Sequence, residues 1–359
     1  MTSLPPGSRI GILGGGQLGR MLSLAAAPLG YACHIFGPEA DPPAGQVADR
    51  VTIADYYNES ALSAFAKDVN LVTLEFENVP TVCVEFLANV IPVRPGPQSL
   101  ATAQDRLIEK EFASSIGTGT APYRAIDSIS DLQTAMAQIG PLAVLKTRRM
   151  GYDGRGQIML NGSDYLDQAW QDLGEVPSIL EGFITFDGEI SVIAARSLDG
   201  SIIAYPPIAN QHRNNILNTS RVPAPLTTEQ TQRAIAIATQ IAEALDYVGI
   251  LAVELFVKGD DFLFNEFAPR VHNSGHWSIE GAVTSQFEQH IRAICGLPLG
   301  STDLLGRAEM TNLIGSDVNQ VLTLLAEPGV HLHLYGKTEA RDNRKMGHIT
   351  RIFPKTIRP

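Results

Sequence analysis

The chain has 359 residues, 44% of them hydrophobic, and a formal net charge of −11 at pH 7. That length exceeds one ordinary core and predicts two or three domains. The acidic balance argues against broad attraction to nucleic acid or an acidic membrane, but not against a nucleotide held by local donors. No apolar run reaches a membrane span and no basic-then-apolar leader opens the chain, so a cytoplasmic protein is expected. Cys33, Cys83 and Cys295 lie far apart without metal-ligand spacing, and free thiols in a reducing compartment follow.

Residues 9–13 read as a buried strand, Gly14-Gly15-Gly16-Gln17-Leu18-Gly19 as a turn, and residues 20–29 as a helix. Strands at 32–36 and 71–74 continue a nucleotide-binding type of βαβ alternation. Backbone amides at the helix start make a natural anion site. A dinucleotide reading would need an acidic residue ending the second strand. That strand ends in Phe36-Gly37-Pro38, with Glu39 behind the turn, so NAD is disfavoured and a phosphate of another ligand, or no ligand at all, is preferred. Glu75-Phe76-Glu77-Asn78 ends the next strand, where open α/β sheets bind ligands. These residues suit a polyhydroxy or amine-bearing molecule, or else cap a helix at 79–87.

Arg94-Pro95-Gly96-Pro97 punctuates the chain, and a helix is expected at 99–115 with Asp105, Arg106, Glu109 and Lys110 on it. Residues 141–146 form an apolar strand ending in Lys146. The loop Gly151-Tyr152-Asp153-Gly154-Arg155-Gly156-Gln157 then leads to a strand at 158–160. A lysine on rigid strand beside glycine backbone is a phosphate-binding flap, distinct from a Walker A loop because the lysine precedes the glycines. Glu181-Gly182-Phe183-Ile184 interrupts a short apolar strand and offers backbone edges and apolar faces to an adenine, and Glu189 offers a carboxylate to ribose hydroxyls.

Glu254 and Glu266 lie on predicted strands at 250–257 and 262–267. A three-residue turn at 259–261 would set them opposite each other on one face. Two carboxylates so close repel unless a cation lies between them, and magnesium suits, with Asn265 as a neutral oxygen donor. Arg270 and His272, in the polar stretch Arg270-Val271-His272-Asn273-Ser274-Gly275-His276-Trp277, are candidates to stabilise an anion. The tail from residue 312 alternates apolar stretches with glycines and charges and predicts a small β-rich region, with Lys345 and Arg351 reaching toward a phosphate.

At these residues the chain resembles the ATP-grasp ligases, and within them the N5-carboxyaminoimidazole ribonucleotide synthetase family. The resemblance runs in order through the glycine turn, Glu75-Phe76-Glu77-Asn78, Lys146-Thr147-Arg148-Arg149, the flap, His212-Arg213-Asn214-Asn215, the His272–Trp277 stretch and Lys345-Met346-Gly347-His348. It implies an ATP-grasp fold of α/β and α+β character. A Rossmann-like, pre-ATP-grasp domain would span residues 1–105. An ATP-grasp domain would span 106–300, its flap at about 122–185, and a small β-rich region 301–359. It further implies ATP contacts at Arg106, Lys146, Gly151, Tyr152, Asp153, Gly154, Arg155, Gly156, Gln157, Glu181, Gly182, Phe183, Ile184, Glu189, His212, Asn265 and Glu266. Glu254 and Glu266 would hold magnesium. Asp153, Arg155, Arg270, His272 and Lys345 would serve bicarbonate and the ribonucleotide, with Gln17, Leu18, Glu75, Asn273, Ser274 and Arg351 binding substrate. Met150, Val271 and Thr350 depart from the family's usual Gly, Pro and Asn. The first of these departures is expected to stiffen the flap.

The implied reaction is carboxylation of aminoimidazole ribonucleotide in purine biosynthesis. ATP would phosphorylate bicarbonate to carboxyphosphate, and the amine would then attack carbon. Neither nucleic acid nor membrane takes part, and the family implies a homodimer. Rival readings keep the scaffold but change the acceptor, as in formate-using or biotin-carboxylating ligases, or make it a nucleotide sensor without catalysis. Intact Glu254, Glu266 and Lys146 argue against the sensor.

Overall fold

The computed structural model describes residues 3–151, 154–162 and 165–354. Its first sheet is parallel, in the order Arg50–Ile53, Ala32–Gly37, Arg9–Leu13, Leu71–Leu74. Ile10, Ile12 and Leu13 of the central strand are wholly buried, as a parallel strand covered on both faces requires. Arg50–Ile53 was not expected. It is a short, largely exposed edge strand without the apolar run that marks the others. The first helix begins at Gln17, directly after the glycines, rather than at residue 20.

The helix expected at 99–115 is two helices, Pro97–Gln104 and Arg106–Ser115. Asp105 breaks it: its backbone is extended, at φ −126 and ψ 111, and its carboxylate accepts from the Leu107 and Ile108 N–H groups. An N-cap carboxylate satisfies amides that a continuous helix would have bonded internally. The same carboxylate accepts from Arg148 at 3.0 and 2.9 Å, which ties the break to the flap.

The flap is a small antiparallel sheet, in the order Tyr123–Ile126, Ser178–Gly182, Leu142–Thr147, Gln157–Asn161. The helices Ile129–Ile139 and Leu166–Asp172 close a core around Leu132, Leu145, Trp170 and Leu180. Residues 183–187 cross from it to the large sheet. Among the described residues that sheet has nine strands. Its order is Asp261–Ala268, Gly249–Lys258, Gly188–Arg196, Ile208–Arg213, Ile216–Val222, Gly306–Ile314, Lys345–Pro354, Val330–Leu334, with Ile202–Ala204 also on Gly188–Arg196. The apolar stretches of the tail pair into this sheet, Thr311 lying opposite Thr219. Helix Thr228–Ala244 covers one face. The other face shares a core with the N-terminal sheet, where Ile10 and Ile12 join Ile250 and Trp277. No described helix is long and apolar enough to cross a membrane.

Candidate active site

Glu254 and Glu266 lie opposite each other in the antiparallel pair formed by Gly249–Lys258 and Asp261–Ala268. The turn between these strands is one residue shorter than expected, because Lys258 pairs directly with Asp261. That turn alone would place Asn265 opposite Glu254. A β-bulge between Glu254 and Leu255 in the pairing takes up Asn265 as the extra residue, so Glu266 reaches the position instead. Side chains alternate faces along a strand, so this one residue decides whether the two carboxylates share a face.

The pair has the electrostatics of a cation site. Burial and the neighbouring Glu266 push the Glu254 carboxyl up to about 7. The Arg106 guanidinium donates to Glu266 Oε2 at 2.9 Å. His272 Nε2 is 3.4 Å from Glu254 Oε1, but burial and Arg270 push that imidazole down to about 3, so it faces Glu254 uncharged. Its Nδ1 and the Ser274 hydroxyl are 2.8 Å apart, and Ser274 accepts from Ser191 at 2.7 Å. Among the described residues no three His, Cys, Asp or Glu side chains are grouped to hold a metal unaided. Two hard oxygen ligands on one face nevertheless fit magnesium, which is completed by substrate phosphates and water. Glu189, His212, Glu254 and Asn265 line one cleft, and His212 Nδ1 is paired with the Glu189 carboxylate.

Lys146, at the end of a flap strand, donates to Glu181 Oε2 at 2.9 Å. Burial alone would raise the Glu181 carboxyl, but Lys110 and Lys146 outweigh it and hold the group at about 2. Arg106 also reaches the Gly151 carbonyl, at 3.5 Å. Gly156 takes φ +70, and its carbonyl accepts from the Thr147 N–H at 2.8 Å, so Gln157 pairs with Lys146. Gly154 lies over Asn215 so closely that a Cβ there would stand 2.5 Å from the asparagine's own. The flap is thus seated on the loop after His212. Gly182, Phe183 and Ile184 lead from Glu181 into the crossing segment. Arg155 is exposed. Tyr152 and Asp153 lie outside the described residues.

The glycine turn corrects an expectation. Its anion site is filled from within the chain: Gly16 N–H donates to Glu75 Oε1 at 2.7 Å, and Gly19 N–H to Glu75 Oε2 at 3.0 Å. Those two amides are therefore satisfied by a carboxylate. Arg270 pairs with Glu77 and holds that carboxyl at about 2 against its burial. Gln17 Oε1 accepts from Lys337 Nζ at 2.6 Å, and the same ammonium reaches the Lys345 carbonyl at 2.7 Å. Gln17, Glu75, Arg270 and Lys345 are thereby tied into the walls of one region.

Four expected substrate residues are engaged by the chain itself. Leu18 is buried in the core. Asn273 exchanges two hydrogen bonds with Asn312, and Ser274 is wholly buried, so both brace the loop from behind. Arg351 pairs with Glu327 at 2.6 Å. It stands six residues along its strand from Lys345, a separation of about 20 Å.

Residues 8–104 match the ribonucleotide synthetase preATP-grasp domain, 111–287 the ATP-grasp domain, and 308–356 the phosphoribosylaminoimidazole carboxylase C-terminal domain. The N5-carboxyaminoimidazole ribonucleotide synthase of Brucella melitensis is 48% identical over 359 residues, covering 99% of each chain. The chain belongs to the N5-carboxyaminoimidazole ribonucleotide synthase family. A crystal structure of an ADP complex of such a synthetase superposes with a TM-score of 0.95 at 42% identity, over 98% of this chain and 94% of that one. The Aspergillus clavatus synthase, solved with ADP and 5-aminoimidazole ribonucleotide, gives a TM-score of 0.91 at 30% identity, over 97% and 94%. Within this synthase chain the sequence reading passed over Lys337 and Asn312. A lone lysine in a glycine-rich tail and an asparagine on a strand carry no local signal, since their partners lie 320 and 39 residues away.

Proposed function

We infer that this chain carboxylates 5-aminoimidazole ribonucleotide with bicarbonate, converting ATP to ADP and phosphate and yielding N5-carboxyaminoimidazole ribonucleotide for purine synthesis. It is an ATP-grasp carbon–nitrogen ligase. The observation that carries the site assignment is the bulge that puts Glu254 and Glu266 on one face, with Arg106 joining Glu266 to the Gly151 carbonyl of the flap. Glu254 and Glu266 would hold magnesium, which when bound neutralises charge on the phosphates during transfer.

Bicarbonate is a poor electrophile, and transfer of the γ-phosphoryl group to one of its oxygens gives carboxyphosphate. Lys146 and Arg106 present positive charge to the phosphates, and the flap excludes water from an intermediate that would otherwise decompose. Arg270, oriented by Glu77, presents its guanidinium toward the bicarbonate. The ribonucleotide amine attacks the activated carbon, the carbon–oxygen bond to phosphate breaks, and the departing phosphate carries away the amine's proton. The neutral His272 imidazole, whose Nδ1 accepts from the Ser274 N–H, offers an Nε2–H donor there and is held too weakly basic by burial and Arg270 to store a proton.

We further propose the domain limits 1–105, 106–300 and 301–359, a cytoplasmic location and a homodimer, the last open to sedimentation analysis. The deciding experiment is ATP turnover with bicarbonate, with and without the ribonucleotide. Turnover that depends on the ribonucleotide is expected. Folded, ATP-binding protein that turns over only with another acceptor would overturn the assignment.

A further inference from the structure

Asp261–Ala268 is the edge strand of the large sheet, and among the described residues its outer edge meets no full strand, only a bridge to Thr120 in which the Phe264 N–H donates to the Gly119 carbonyl at 2.8 Å. An edge can be covered by apolar side chains or a loop. Beyond that contact, the bulge is gripped by two ionisable, buried side chains of the helix Arg106–Ser115. Lys110, wholly buried, donates from Nζ to the Asn265 carbonyl at 2.7 Å and to the Phe264 carbonyl at 3.2 Å. Glu109, also buried, accepts the Phe267 N–H at 2.7 Å. Between them these residues engage the backbone on both sides of Glu266, and Arg106, one turn earlier on the same helix, engages its carboxylate. Lys110 Nζ is also 3.5 Å from Glu181 Oε2, the carboxylate that Lys146 binds. Burying two ionisable groups is costly, and covering an edge does not require it.

We infer that Glu109 and Lys110 are positioning residues that hold the Asn265 bulge, keep Glu254 and Glu266 on one face, and so set this site's affinity for a divalent cation. This rests on the reading of the glutamate pair as the magnesium site. Without the grip the strand can relax to the pairing that its two-residue turn dictates. Asn265 would then face Glu254, and Glu266 would turn to the opposite face. The bulge is thus a registered state of the strand, held by the helix, rather than a fixed property of the turn.

The test uses the full chain with ADP and Mn2+ as the probe, the bound metal being read by electron paramagnetic resonance. Glu109→Leu and Lys110→Met should weaken Mn2+ binding roughly 10- to 100-fold, the usual effect of removing a group that orients a ligand. Both should speed amide hydrogen exchange at Glu266 and Phe267. Glu109→Gln, whose amide oxygen can still accept from Phe267, should restore Mn2+ affinity. A residue that merely stabilised the fold would not separate Gln from Leu in metal affinity. Glu109→Leu carries the test alone if Lys110→Met does not fold. Native Mn2+ affinity in folded Glu109→Leu would overturn the inference while leaving the metal site standing. A native chain that binds no Mn2+ with ADP would overturn both.

Discussion

Glu75 fills the anion site of Gly19: the glycine's N–H donates to the glutamate's Oε2 at 3.0 Å, across the end of the parallel sheet. Together with Gly16 this makes the carboxylate part of the turn. Burial pushes its carboxyl up in spite of the two amide donors. Glu75→Ala should leave both amides without that acceptor and cost about 1–3 kcal/mol of stability, read by chemical denaturation. Gly16→Ala should do similar harm, since its Cβ would stand 2.5 Å from Glu75 Oε1. An unchanged midpoint in Glu75→Ala would mean that another group satisfies those amides.

The Glu254 carboxyl, raised to about 7 from 4.5, makes a signed prediction. A raised acid contributes stability that is complete below the unfolded value and lost as the pH climbs through the folded one. Metal-free protein should therefore lose stability from this group between about pH 4.5 and 7. Glu254→Gln, with no proton to release, should flatten that part of the curve. Thermal unfolding of both proteins in chelator across this range checks it, and parallel curves would refute it. Magnesium affinity should rise with pH through the same window, because only the ionised carboxylate binds.

Gly156 sits at φ +70, and a Cβ there would lie 2.6 Å from Thr147 Oγ1. Gly156→Ala should displace the flap and lower turnover by roughly 10- to 100-fold. Adding Thr147→Ala removes the clash but not the left-handed strain, so it should recover only part of the loss. Full recovery in the double variant would assign the whole effect to the clash.

Lys337 ties Gln17 to the carbonyl of Lys345. Lys337→Met should raise the KM for the ribonucleotide roughly tenfold, the worth of a charged hydrogen bond. The KM for ATP should stay near native, because the flap and the glutamate pair lie on other elements. Equal rises in both constants would show a general loosening instead.

Much of this was legible in local pattern. The strands around Glu254 and Glu266 stood out because apolar alternation and a Gly-Asp turn are local signals. Their facing arrangement was expected for a different reason from the one found. A three-residue turn and a two-residue turn followed by a bulge give the same pairing at Glu266, and the contacts that accompany the bulge, from Glu109 and Lys110, come from more than a hundred residues earlier. The helix break at Asp105 was missed although Asp is a strong N-cap, because no Gly or Pro interrupts residues 98–116 to mark it. Met150 was noted where glycine is usual. The structure gives the reason glycine is usual, a φ of +63, which a side chain adopts with strain. Glu75 was placed facing the ribonucleotide by analogy. Its hydrogen bonds to Gly16 and Gly19 needed a contact 56–59 residues long that no sequence period reveals.

The tail strands that pair into the large sheet bear on how the chain is made. Ile216–Val222 has its outer edge covered only by Gly306–Ile314, which in turn waits for Lys345–Pro354. On the ribosome that edge emerges long before its partner, with buried Leu217 and Val222 on it. The ATP-grasp portion therefore leaves the exit tunnel as an open sheet, sealed only once the strands Gly306–Ile314 and Lys345–Pro354 have followed it. A chain lacking these two strands would expose that edge and be an aggregation hazard.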